Sequence, residues 1–296
     1  MGERMSETAR TSVVIATRNR RDELLRTLAR LRELAPRPPV VVVDNASDDG
    51  TPAAVRALFP EVQLIANAVN RGAAARNAGV RAARTPYVAF CDDDSWWEHD
   101  SLAQAEKIFD AHPSIGLVAA RTTVGRERKP DPVNALMSSS PLSSVEGFPG
   151  PRIMGFTACA AVVRREAFQQ VGGFSSVLFF VAEEKLLALD LAAAGWDLVY
   201  ADGITAHHQP SNGRSSAHDR RVAELRNNLL IDWLRRPAPR AFRSTAELVR
   251  KSCYDASCRE AVLGALGKFP TVLRNRRRLP ASTEREVSFL EQNHQW

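Results

Sequence analysis

Short β-branched apolar runs at residues 12–16, 40–43, 62–66 and 87–90 alternate with longer amphipathic stretches at 22–34, 51–58 and 73–83. Brief apolar runs bounded by turn residues read as buried strands, and apolar positions recurring every three to four residues read as helices. Successive strand–helix units predict an α/β fold with a mostly parallel sheet, flanked by helices on both faces.

Between 121 and 152 the chain becomes rich in Pro, Ser and Gly and loses periodicity, which predicts a mobile lid or acceptor loop. Order returns with a strand at 157–163, a helix from Arg165 closed near Gly172 and Gly173, and a helix over 181–194 stopped by Gly195. A strand at 197–200 then leads to His207 and His208. Beyond Ser215 the pattern is helical and basic, with 17 Lys/Arg against 9 Asp/Glu over residues 214–296, so the chain's net charge of +6 is concentrated there.

With 44% hydrophobic and 25% charged residues among 296, the composition is that of a soluble globular protein with room for a sizeable core. No apolar run approaches the roughly 18 residues that span a bilayer, and the start lacks the apolar core of a signal peptide. Cytoplasmic folding is the expectation. Cys91, Cys159, Cys253 and Cys258 are scattered and form no CxxC pair, which predicts reduced thiols rather than a zinc knuckle or a disulfide framework.

In open α/β sheets ligands bind outside the carboxyl ends of the strands, so the polar residues following each apolar run are the candidates. These are Thr17, Arg18 and Asn19; Asp44 and Asn45; Asn70, Arg71, Gly72, Arg76 and Asn77; and Asp92, Asp93 and Asp94. Three consecutive acids repel one another unless a cation or ordered donors compensate them, and a hard divalent ion is the economical candidate. Taken alone, the run is equally readable as an acidic turn opening a helix. Asp44 closes the second strand on the same edge. Neither G-x-G-x-x-G nor G-x-x-x-x-G-K-[ST] occurs, so a nucleotide would be held by side chains and metal rather than by a glycine loop.

The segments VVIATRNR, VVVDNASDDGT, NRGAAARNAG and FCDDD, in that order, resemble the family 2 glycosyltransferases over residues 11–210. The resemblance implies a GT-A (nucleotide-diphospho-sugar transferase) fold over 10–212, followed by a basic helical C-terminal extension over 213–296. It implies inverting transfer from a nucleoside-diphosphate sugar of the UDP, GDP or dTDP type to an acceptor hydroxyl. Asp44 would meet the donor's base or ribose, with Thr17 and Arg76 lining the same pocket. Asp92 and Asp94 would face Mn2+ or Mg2+ as the DxD motif, and Asp92 and Asp93 would touch the donor.

Ala16 and Arg18 stand where the family commonly has proline and tyrosine, which leaves base specificity open; Arg18 is a candidate partner for a donor phosphate. The family also carries an acidic pair at the start of a later helix. Counting back from Gly195 puts Glu183 and Glu184 there, with Glu184 in place of the usual aspartate. Glu184 is the expected base and Glu183 the second candidate. A histidine after the next strand often completes the metal shell, and His207 is preferred over His208 by spacing. Of Trp96 and Trp97, alternation sends one inward and one toward the cleft.

Two rival readings stay open: a nucleotide-sugar or carbohydrate-binding module without catalysis, and a membrane-surface adaptor acting through the basic helices. For the extension, a peripheral contact at the inner face of a membrane and a homodimer are the partner roles considered. Nucleic acid is not expected, because Glu284, Glu286 and Glu291 dilute the basic run Arg274, Arg276, Arg277 and Arg278.

Overall fold

The computed structural model describes residues 9–143, 145–211 and 216–293; the expected domain boundary at 212 and 213 lies outside the described residues. In chain order the first elements are β1 (Thr11–Thr17), α1 (Arg21–Arg32), β2 (Val40–Asp44), α2 (Thr51–Leu58), β3 (Gln63–Ala66), α3 (Arg76–Ala82) and β4 (Tyr87–Cys91). Then come β5 (Ser95–Trp97), α4 (Ser101–Ala111), β6 (Ile115–Val124), β7 (Lys129–Pro130), α5 (Pro132–Ser138), β8 (Ala161–Arg164) and α6 (Arg165–Val171). The chain continues with α7 (Glu183–Ala193), β9 (Asp197–His208), α8 (Ala217–Arg235), α9 (Ala238–Ser252), α10 (Ala256–Leu266), α11 (Phe269–Arg274) and α12 (Ala281–Gln292).

Nine strands form one sheet in the order β3-β2-β1-β4-β8-β6-β9-β5, with β7 on the flank of β6. The first four are parallel, as the strand–helix alternation predicts. Past β4 the sheet is mixed: β8 runs antiparallel to both β4 and β6, while β6 and β9 are parallel. The continuous apolar runs of β1, β2 and β4 reflect burial on both faces. One face packs on Leu24, Leu28 and Leu31 of α1 and Phe109 of α4; the other packs on Val80, Phe168 and Leu187 of α3, α6 and α7.

Within 121–152 the first part, to Ser138, carries regular structure. Its first residues finish the buried strand β6, and α5 is pinned to that strand by Asn134, whose side chain donates to the Thr122 carbonyl (2.8 Å) and accepts from the Thr122 amide (2.9 Å). Asp131 caps α5 by accepting from the Val133 amide. The expected strand at 157–163 is a 3-10 turn, Ala158–Ala160, followed by β8, and β9 runs well past residue 200 to include both histidines.

The C-terminal helices are joined to the sheet by a third apolar cluster, in which Leu178, Leu186 and Leu189 meet Leu230, Ile231, Leu234, Val272, Val287 and Leu290. Helix α7 is therefore apolar on two sides, sandwiched between the sheet and the extension. Ion pairs reinforce the joint: Arg235 pairs with Asp190 of α7 and Arg152 binds Glu286 of α12 (2.8 Å), while Arg236 ties the end of α8 to α12 through Glu284 (2.9 Å) and Glu291 (2.8 Å). Leu229, Leu230, Ile231 and Leu234 of α8 are buried, and Trp233 packs edge-on against Phe242 and Phe269. Among the described residues, no helix is long and apolar enough to cross a membrane.

Candidate active site

Register brings the strand ends level. Thr17 pairs with Asp44 across β1 and β2, and Ile15 pairs with Cys91 across β1 and β4, so Thr17, Asp44 and the three aspartates share one sheet edge. Asp44 is buried; its Oδ2 accepts from the Ser47 amide (3.0 Å), while its Oδ1 is buried with no hydrogen-bond partner. A desolvated carboxylate oxygen on a ligand-binding edge is an acceptor suited to a donor N–H or O–H from outside the chain.

Arginines compensate the aspartates. Arg20 reaches Asp93 (2.7 Å) and Asp94 (2.7 Å), and Arg76 reaches Asp92 (2.5 Å). Asp93 also accepts from the Thr17 hydroxyl (2.9 Å); its burial pushes its pKa up to about 7 against the pull of Arg20. Asp93 is thus held inside the edge, and the side chain of Asp92 is the more open, at 34% exposed. Arg20 is a residue that motif reading missed. It lies three residues beyond Thr17, and only the turn into α1 aims it at the acids. Arg18, by contrast, is exposed.

The structure brings Glu183 and Glu184 to the same place from far along the chain. Both open α7 and both face Arg76, which is 5% exposed and whose Nε has no partner. Burial raises the pKa of each glutamate, and Arg76 opposes the rise. Glu183 is 2% exposed with an unpartnered Oε2, whereas Glu184 is partly exposed and accepts from the Ala158 amide. A carboxyl whose pKa is raised by desolvation is a proton acceptor of raised basicity.

The structure separates the two histidines. Antiparallel pairing of β5 with β9 sets His207 opposite Trp96 and His208 opposite Ser95, and alternation sends the two rings to opposite faces. His207 is 4% exposed and engaged at both nitrogens, with Glu98 (2.5 Å) and Thr123 (2.5 Å), away from the aspartates. His208 Nε2 lies 3.4 Å from Asp94 Oδ1. Trp97 is buried and donates to the Phe90 carbonyl, while Trp96 packs beside His207 and Arg30 instead of opening onto a cleft.

Asp92, Asp94 and His208 offer two carboxylates and an imidazole, ligand types that Mn2+ accepts, with carboxylates also suited to Mg2+. Among the described residues no group of three or more His, Cys, Asp or Glu is close enough to hold an ion by itself. Hard ions take only one or two protein carboxylates and complete their shell with phosphate and water. The residues present fit such an ion.

The sheet order and the acidic edge define a GT-A α/β protein. Residues 12–172 match the family described as Glycosyl transferase family 2, and the chain belongs to that family. It is 41% identical over 101 residues to the succinoglycan biosynthesis protein ExoO of Rhizobium meliloti, covering 33% of this chain and 29% of that one. It is 31% identical over 238 residues to the pre-mycofactocin glycosyltransferase of Mycobacterium tuberculosis, covering 77% of this chain and 45% of that one. The chain thus spans less than half the length of these relatives. Among solved structures it resembles the mannosyltransferase PcManGT of Pyrobaculum calidifontis in complex with GDP-Man and Mn2+. That match has a TM-score of 0.59 and 22% identity, and covers 97% of this chain and 76% of the other.

Proposed function

We propose that this chain transfers a sugar from a nucleoside-diphosphate donor to an acceptor hydroxyl, with inversion at the anomeric carbon, and that Glu184 is the base. The observation that carries the reading is the desolvated Glu183 and Glu184 pair facing Arg76 and Asp92 on the edge where Asp44 keeps an unpartnered oxygen. Asp44 accepts from the base or ribose, and Thr17 and Arg20 hold Asp93 and Asp94 in place behind it. A divalent ion held by Asp92, Asp94 and His208 would supply Lewis-acid neutralisation of the charge on the departing diphosphate. Glu184 takes the acceptor's proton as its oxygen bonds to the anomeric carbon and the bond to the diphosphate breaks, so nucleoside diphosphate leaves with the electron pair. Arg76, close to both acids, keeps the ionised carboxylate tolerable. The family membership and the GDP-Man and Mn2+ in PcManGT support the donor class and the metal.

Glu184→Gln is expected to abolish transfer while nucleoside-diphosphate binding, read as a thermal shift with UDP, GDP or dTDP and Mn2+, survives. Near-normal turnover would remove Glu184 from this role. Transfer is expected to stop in a chelator and to return with Mn2+ or Mg2+; chelator-resistant transfer would remove the metal. Donor hydrolysis without acceptor separates an enzyme from a binding module.

A second reading concerns the extension. Phe242, Leu263, Leu266 and Leu273 are exposed there together with Arg274, Arg277 and Arg278, which supports a peripheral contact with an anionic surface. Co-sedimentation with anionic vesicles at low salt is the expected outcome; its absence excludes the contact.

A further inference from the structure

The turn leading into the acid pair holds Phe179 (φ 69°), Val181 (φ 72°) and Ala182 (φ 63°) in the left-handed region. None is a glycine, and for β-branched Val181 this backbone is an outlier that persists only where the surroundings over-determine it. Those surroundings lie far along the chain. Asn227 of α8, 0% exposed, directs its Nδ2 at the carbonyl oxygens of Leu178 (3.0 Å), Phe180 (2.7 Å) and Val181 (2.7 Å). Arg226 Nε donates to Asn227 Oδ1 (3.0 Å) and fixes which way the amide faces. Lys268 Nζ donates to the Val177 carbonyl (2.5 Å).

From the opposite side, the Ala73 amide donates to the Phe179 carbonyl (2.7 Å), in the 3-10 turn Gly72–Ala75 that leads directly into Arg76. The turn before the acids is therefore clamped between the segment carrying Arg76 and the C-terminal extension. Three carbonyls converge on one amide; Leu178 keeps the Phe180 amide as a second donor, but a side chain without a donor at 227 would take this partner from the Phe180 and Val181 carbonyls. The cheapest relief is to let Phe179, Val181 and Ala182 leave the left-handed region, which turns the first residues of α7, the glutamates, away from Arg76.

We propose that Asn227 is a positioning residue for the Glu183 and Glu184 pair, acting through the Phe179, Phe180, Val181 and Ala182 turn. The proposal rests on the reading of Glu184 as the base. It gives the extension a part in catalysis without contact with donor or acceptor.

The test uses the full-length chain. Asn227→Ala is expected to lower kcat about ten- to a hundredfold while donor KM stays within about threefold, because misplacing a catalytic group affects the transition state more than donor binding. Amide hydrogen exchange is expected to rise across 177–184. Adding Ala182→Gly, which makes the left-handed backbone at that position strain-free, is expected to recover part of the lost kcat. If Asn227→Ala does not fold, Arg226→Ala frees the amide's orientation and is expected to lower kcat about threefold or more. Unchanged exchange, unchanged kcat, or a loss carried equally by donor KM overturns the proposal. Glu184→Gln assayed alongside keeps the two readings apart. Full activity there overturns the base, whereas an inactive Glu184→Gln beside a fully active Asn227→Ala overturns only the role of Asn227.

Discussion

Arg76 carries the charge balance of the site, since its guanidinium binds Asp92 and faces Glu183 and Glu184. Arg76→Ala leaves three acids uncompensated, and denaturant unfolding is expected to register a loss of about 3–5 kcal/mol, the usual cost of removing one partner of a buried pair. The two glutamates also set a pH dependence. Their pKa values are raised by folding, so the folded chain binds their protons more tightly than the unfolded chain does. Their contribution to stability is then full below the unfolded value of about 4.3 and is lost as pH rises through the folded values. The melting temperature of Glu183→Gln is accordingly expected to gain on that of the parent as pH goes from about 5 to 9; a constant gap would contradict the raised pKa. For the histidines, His208→Ala is expected to reduce the Mn2+-dependent thermal shift given by nucleoside diphosphate. His207→Ala is expected to lower the melting temperature and leave that shift intact.

Among the elements, the 3-10 turn Gly72–Ala75 and the turn before α7 meet at backbone distance. Gly72 has a φ of 58°, and a Cβ there would stand 2.0 Å from the Phe179 carbonyl oxygen. Gly195 also has positive φ, at 88°, but open space around it. Both alanine substitutions carry a conformational cost of about 1–3 kcal/mol, and Gly72→Ala adds a clash with main chain that has nowhere to go. Denaturant midpoints are expected to fall further for Gly72→Ala; equal losses would mean that the two turns do not bear on each other. Helix α7 has the same character at larger scale, with Leu187 and Leu191 turned to the sheet and Leu186 and Leu189 to the extension. Each buried leucine contributes roughly 1.5–3 kcal/mol, so neither face of α7 can be uncovered cheaply.

For the whole molecule, the third cluster and the Arg235–Asp190 and Arg152–Glu286 pairs make the sheet and the C-terminal helices mutually dependent. Calorimetry is expected to show one cooperative transition for the full chain, with two separated transitions contradicting the coupling. The basic character read from 17 Lys/Arg over 214–296 is partly spent inside the molecule: Arg235, Arg236 and Arg240 face acids, and Arg276 lies over Trp233 and donates to its carbonyl. Arg274, Arg277 and Arg278 remain at the surface.

Local information sufficed wherever a residue's position along a strand decided its place. Apolar run length and alternation with helices made β1, β2, β3 and β4 legible. Because parallel strands end together, Thr17, Asp44 and the three aspartates were legible as one edge before any coordinates. The acid pair was legible through motif order and the glycine that closes its helix. What depended on partners distant in sequence was not. Pro- and Ser-rich composition hid α5, which Asn134 pins to Thr122 of β6. Spacing favoured His207, but the β5–β9 register sets His207 and His208 on opposite faces and His208 beside Asp94, since a shift of one residue puts a side chain on the other face. Only the fold could bring Arg20 to Asp93 and Asp94, and Asn227 to the turn before Glu183, because those bonds cross 74 and 46 residues of chain and leave no periodic trace in it.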